Sequence, residues 1–296
     1  MKKIIMLFCF IFPSLFALSQ TINKLYENQY VFLNKRKYQG EVLRKINNNP
    51  KIKDIQIFTK STLLTNDKID YNKFLKYIES LYPSVNATGT ACLDIENILY
   101  ENIQNYDKNN INFQYSVDQF IKLIRFFKKN RKNVRIGIYG IPYKITAEKH
   151  LKYNTSKLDE LLSEVDVIFP SLYLPYSFGE SKSSLYSSFL TTNLKTALAY
   201  GKRLGKPVIP FTWYMVHPSN RFYGGEIIDK FRYDKYLSDI LNFSYDNSKV
   251  AGIVYWDSSY DYFQSSVRQR SSLFKQHSLK VDNNIQNKLV DIYLLK

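Results

Sequence analysis

Seven short apolar runs, each followed by a segment of helical period, constrain the fold of this chain more than any other feature. The runs cover residues 29–33, 54–58, 89–95, 134–139, 166–173, 207–213 and 250–256. Segments with apolar residues at three- and four-residue spacing follow them, over 41–46, 70–82, 116–130, 158–165, 185–204, 228–243 and 263–274. Strands that alternate with helices pair in parallel, because each helix carries the chain back to the start of the next strand. Seven such units predict an α/β fold, a single (β/α) TIM-like barrel of seven strands, rather than an open doubly wound sheet. Leu289, Val290, Ile292 and Leu294 predict one more helix that packs back on the body.

The N-terminus is set apart. Lys2 and Lys3 precede an apolar run over 4–18, and Ala17-Leu18-Ser19 carries small residues at cleavage spacing. This pattern predicts a secretory signal peptide over 1–19, with the barrel domain over 20–296 and a secreted or periplasmic mature protein. The run is short for a membrane span, and no second long apolar stretch follows, so no stable membrane insertion is expected. Bulky Phe8 stands where a lipoprotein anchor at Cys9 would need a small residue. After cleavage one cysteine remains, Cys92, which excludes an internal disulfide. Flanked by Ala91 and Leu93, it reads as a small core residue.

The chain carries 42 Lys and Arg against 26 Asp and Glu, a formal charge of +16, which favours an anionic partner. No dense basic block marks a nucleic-acid tail, and nucleic acid is not an expected partner. No helix opens on a glycine-rich phosphate loop, so a nucleotide is not expected either. His150, His217 and His277 follow no metal-ligand spacing and read as solvated surface residues. Neither a metal nor a cofactor is expected.

In a (β/α) barrel the chemistry lies at the C-terminal ends of the strands. Here those ends supply Asp94 and Glu96, then Tyr139, Tyr173, Trp213 with Tyr214, and Trp256 with Asp257. Asp94 and Glu96 are two residues apart, which in a strand puts both on one face with Cα atoms roughly 6.6 Å apart. Two acids at the end of an apolar strand are a catalytic pair or a solvated strand end. Aromatics make up 16% of the chain, so any single one is weak evidence; their recurrence at successive strand ends is stronger. Aromatic faces stack on sugar rings and their polar tips bond hydroxyls. Acids and aromatics together point to glycoside hydrolysis.

Four segments in order carry a family resemblance. They are Phe74–Pro83 followed by Gly89–Glu96, then Ile138-Tyr139-Gly140-Ile141-Pro142-Tyr143, then Phe169-Pro170-Ser171-Leu172-Tyr173-Leu174, then Ala251-Gly252-Ile253-Val254-Tyr255-Trp256. From about residue 54 to 275 the chain resembles the hyaluronidase family of animal and venom enzymes. The resemblance implies a retaining, substrate-assisted glycosidase acting on an N-acetylhexosamine-containing, possibly acidic polysaccharide. Glu96 would be the general acid/base and Asp94 would hold the substrate's N-acetyl group. Tyr139 and Tyr173 would position that group, and Trp256 would line the sugar subsite. Asp94 would also raise the pKa of Glu96. Asn97-Ile98-Leu99 stands where the family carries Trp-Arg-Pro, and Asp257 where it commonly has glycine. The family's disulfides are missing, which predicts a divergent, bacterial member. A barrel directed at chitin or peptidoglycan, and a carbohydrate-binding barrel without activity, are the alternative readings.

Overall fold

A computed structural model describes residues 29–145, 156–176, 183–220, 223–257 and 285–295. The expected signal peptide, Cys9, the helix over 263–274, His150 and His277 lie outside these residues.

The chain runs β1 (Tyr30–Leu33), a 3-10 turn (Lys35–Lys37), α1 (Gly40–Asn48), β2 (Ile52–Asp54), β3 (Gln56–Thr59) and α2 (Lys60–Leu63). A small hairpin of β4 (Leu64–Thr65) and β5 (Lys68–Ile69) leads to α3 (Tyr71–Leu81), β6 (Gly89–Asp94), α4 (Ile98–Asn105), α5 (Ile111–Asn130) and β7 (Val134–Ile138). Then come α6 (Asp159–Glu164), α7 (Ser183–Leu204), β8 (Phe211–Thr212), α8 (Lys230–Asn242) and β9 (Gly252–Tyr255). The last described elements are α9 (Ile285–Val290) and a π-helical turn (Asp291–Leu295).

Outside the β4–β5 hairpin, every strand pair is parallel. One sheet runs β2–β1–β9–β8 and another β3–β6–β7. β2 and β3 are one run of chain broken at Ile55, whose N–H donates to the Leu33 carbonyl at 3.1 Å. Single parallel bridges Tyr139–Phe169, Ile168–Val208 and Ser171–Phe211 seat the segment 166–173 between β7 and β8. The sequence predicts full strands over 166–173 and 207–213; the structure has bridges there and only the two-residue β8. Pro170, Pro207 and Pro210 have no N–H to give a ladder. They act as acceptors instead, taking bonds from Phe211 at 2.8 Å, Ile168 at 3.0 Å and Val254 at 2.8 Å. Gly137 lets this segment approach, since a Cβ there would lie 2.3 Å from the Val167 carbonyl oxygen and 2.5 Å from the Phe169 ring.

The helices bury the faces that their periodicity predicts. Asp70 caps α3 by accepting the Lys73 N–H at 2.9 Å, and Phe74 and Ile78 face inward one turn apart. Asn110 caps α5, so this helix starts five residues before the predicted 116. Its inward stripe includes Phe113, Val117, Phe120, Ile124 and Phe127. β3 contributes Phe58, edge-on to Phe74 at 5.4 Å and to Phe127 at 5.6 Å. This aromatic cluster packs α3 and α5 against the strand that pairs with β6.

The sequence reading contains no helix at α4. Only Leu99 and Ile103 are buried along it, too few apolar positions to show a period. Its start is nonetheless specified, because the Asn97 side chain accepts the Leu99 N–H at 3.1 Å. The C-terminal segment packs back as expected, with Leu289 and Val290 buried. Tyr293 is its anchor: the hydroxyl donates to the Ile228 carbonyl at 2.7 Å and the ring stacks on Tyr214 at 4.9 Å. Among the described residues no helix is long and apolar enough to cross a membrane.

Candidate active site

Parallel pairing brings the C-terminal ends of the strands to one side, and a cavity open to solvent lies there. Asp94, Glu96, Tyr139, Tyr173, Phe211, Trp213, His217, Pro218 and Trp256 line it. Six of these are residues that the strand ends nominate: the two acids, Tyr139, Tyr173, Trp213 and Trp256.

Asp94 is the last residue of β6 and Glu96 stands two residues further on, with Ile95 between them turned into the core at 1% exposure. Alternation along an extended chain therefore presents both acids to the cavity. Asp94 is half-buried and Glu96 exposed. Burial, then the charge of Glu96, pushes the Asp94 pKa up to about 7, with Lys60 pulling the other way. Cys92 lies two residues further back on the same strand, fully buried, with its thiol pKa raised by burial and by Asp94. A thiol held protonated there is inert core, as the sequence predicts.

The aromatic wall is a connected set. The Tyr139 ring meets Phe211 edge-on at 5.0 Å and Tyr173 at 5.9 Å, and its hydroxyl donates to Ser171 Oγ at 3.2 Å. Tyr173 leans on Trp213 at 5.5 Å and stacks with His217 at 6.1 Å. Trp256 reaches Phe211 at 6.0 Å and carries the Lys37 ammonium over its face at 4.7 Å. Burial first, then the charges of Glu96 and Asp94, keeps the Tyr139 hydroxyl protonated, so it presents a neutral, polar tip to the cavity. Gly140 turns the chain away directly after Tyr139. Its φ of +72° suits glycine, and a Cβ there would lie 2.4 Å from the Tyr100 hydroxyl oxygen.

Two nominated residues stand elsewhere. Tyr214 and Asp257 follow Trp213 and Trp256 by one residue, and alternation turns them to the opposite side. Both are buried, at 0% and 2% exposure, and neither lines the cavity. They form a structural polar cluster in which Asp257 accepts from the Tyr214 hydroxyl at 3.1 Å and the Tyr38 hydroxyl at 3.3 Å. Lys37 Nζ donates to the Asp257 carbonyl oxygen, which ties this cluster to the back of Trp256.

His217 corrects the sequence reading in the other direction. It is a half-buried wall residue rather than a solvated one. Its Nδ1 accepts the Ser219 N–H at 3.1 Å, which leaves the ring neutral. Burial, then the nearby charge of Lys144, lowers its pKa to about 4. No spacing in the sequence marks it, since the loop after β8 alone decides its place. Among the described residues no group of three His, Cys, Asp or Glu side chains could hold a metal ion.

The Asp94 shift has a consequence for stability. The native carboxyl holds its proton more tightly than the unfolded one, so this contribution is complete below about pH 3.8 and is lost as pH rises to about 7. Asp94→Asn removes the titration. Thermal melts will therefore show the variant gaining on wild type between pH 4 and pH 8; a constant difference in Tm across that range would place Asp94 in ordinary solvent.

No protein-family model matches the chain, and no curated protein sequence matches it. Solved structures do. One crystal structure of bee venom hyaluronidase superposes with a TM-score of 0.60 at 15% identity, covering 88% of this chain and 99% of that one. A second, bee venom hyaluronidase in complex with a hyaluronic acid tetramer, gives a TM-score of 0.59 at 17% identity, covering 90% of this chain and all of that one. The chain has a hyaluronidase-like fold.

Proposed function

We propose that this protein is an exported, retaining glycoside hydrolase that cleaves an N-acetylhexosamine-containing polysaccharide by substrate-assisted catalysis. One observation carries the proposal: two carboxylates and four aromatic side chains from successive strand ends line one cavity. The fold shared with a hyaluronidase solved with its sugar supports it. The architecture assigned is a seven-stranded (β/α) barrel. Its support is the β2–β3 run, which pairs with β1 on one side and β6 on the other, and the bridges of 168–171 that join β7 to β8. Export rests on the signal pattern over 1–19.

In the free site burial keeps a proton on Asp94 up to about pH 7. A substrate acetamido N–H that donates to Asp94 favours the charged form there and leaves the proton to Glu96. Glu96 then gives it to the glycosidic oxygen as the C1–O bond breaks. The acetamido carbonyl oxygen bonds to C1 from the other face, and Asp94 balances the positive charge that develops. Water opens the resulting ring, returning its proton to Glu96, so C1 keeps its configuration. Tyr139 and Tyr173 hold the acetamido group, while Trp213 and Trp256 give apolar faces to the sugar. The partner is the polysaccharide; nucleic acid and membrane have no role in this reading.

The test is reducing-end release from hyaluronic acid, chondroitin, chitin and peptidoglycan by the purified protein, with anomeric configuration followed by NMR. Release with retained configuration is expected from at least one polymer. Binding without release from any of them would make the protein a carbohydrate-binding barrel, and inverted product would remove the acetamido group from the mechanism.

A further inference from the structure

One polar residue of the cavity wall, His217, takes no part in the catalytic steps above. It stands on the loop after β8, and backbone bonds fix that loop on both sides of it. Its own N–H donates to the Leu174 carbonyl at 2.7 Å, directly after Tyr173. Before it, the Val216 N–H donates to the Glu226 carbonyl at 2.9 Å, and the Gly225 N–H donates back to the Val216 carbonyl at 2.9 Å. After it, the Asn220 N–H donates to the His217 carbonyl at 3.0 Å, and Asn220 Nδ2 donates to the Pro175 carbonyl at 2.9 Å. This frame holds the half-buried imidazole against Tyr173, with the two rings 6.1 Å apart and inclined by only 26°.

The same loop fixes the tautomer. A backbone N–H can only donate, so the bond of 3.1 Å from the Ser219 N–H makes Nδ1 an acceptor. Ser219 Oγ lies 2.7 Å from the same nitrogen. In a neutral imidazole whose Nδ1 accepts, Nε2 carries the hydrogen. Among the described residues the side chain bonds only to Ser219, and only through Nδ1. The donor that His217 has left for the cavity is therefore Nε2–H.

We propose that His217 is a specificity-determining residue whose Nε2–H donates to a hydroxyl oxygen of the N-acetylhexosamine held by Tyr173. The inference rests on the glycosidase reading and adds the contact by which the site recognises a hydroxylated ring. A neutral N–H beside aromatic faces suits a sugar, which offers hydroxyl oxygens around the rim of an apolar ring face. A ring without that hydroxyl leaves the donor desolvated and unpaired, and the site discriminates against it.

The probes are soluble tetrasaccharides from the four polymers named above. His217→Phe keeps a ring against Tyr173 and removes the donor. His217→Gln places an amide N–H in reach of the same oxygen. His217→Phe raises KM by about 3- to 10-fold with kcat nearly unchanged, the range for a neutral hydrogen bond made in the bound state. His217→Gln recovers most of that loss. Long-range 1H–15N spectra read the contact without changing His217: in labelled Glu96→Gln, the Nε2 resonance moves when a tetrasaccharide binds. A wild-type KM in His217→Phe, a His217→Gln no better than His217→Phe, or an Nε2 resonance unmoved by a bound tetrasaccharide overturns the role of His217 and leaves the glycosidase standing. A wild type that neither binds nor cleaves any of the four overturns both.

Discussion

On the proposed glycosidase reading, Glu96→Gln is expected to lower the rate of polysaccharide cleavage by about 10²–10⁴-fold, the range that a positioned general acid contributes. Glutamine keeps the shape and the hydrogen-bonding capacity of the side chain but has no proton to give to the glycosidic oxygen. Glu96 is exposed at the cavity, so the substitution opens no void in the core. Kinetics should show the loss in kcat with KM nearly unchanged, because binding falls to the aromatic wall and not to this carboxyl. A variant as active as wild type would remove Glu96 from the reaction. An equal loss of thermal stability would mean that the effect is structural.

The largest effect on stability is expected at Phe127. Its ring is fully buried, edge-on to Phe58 at 5.6 Å and to Tyr82 at 6.2 Å, and lies against Phe74 at 6.1 Å. Phe127→Ala removes the side chain from the centre of the cluster that joins α3 and α5 to the acid-bearing sheet. The lost transfer energy and the cavity left behind cost about 3–5 kcal/mol. Urea unfolding followed by far-ultraviolet circular dichroism measures it, and Phe127→Leu, which refills much of the space, loses clearly less. A cost of Phe127→Ala below about 1 kcal/mol would show that the neighbouring rings collapse into the gap. Because Phe58 belongs to the strand that pairs with β6, loosening this cluster also loosens the frame of Asp94 and Glu96.

Where the sequence reading succeeded, the physics was local. A helix with a wide apolar face, such as α5, announces itself because burial recurs every three or four residues. A strand end with acids at spacing two shows that both side chains share a face. Where the reading failed, the deciding facts lay outside the local window. Helix α4 has two buried positions and a capping asparagine, which is too little for periodicity to register. The prolines at 170, 207 and 210 reduced two predicted strands to bridges, because a ladder needs N–H groups that proline lacks. Tyr214 and Asp257 were nominated with their neighbours, and strand alternation separates them: only one of two adjacent residues can face the cavity.

The amino-acid sequence alone determined the alternating order of strands and helices, the place of the acid pair and the aromatic identity of its surroundings. Each of these follows from side-chain chemistry read over a few neighbouring positions. Only the tertiary structure decided that burial raises the Asp94 carboxyl and that His217 belongs to the wall. Burial and electrostatic neighbours are properties of space, and loops far apart in sequence supply both. Burial raises the Asp94 pKa because desolvation acts on the residue that the fold draws inward.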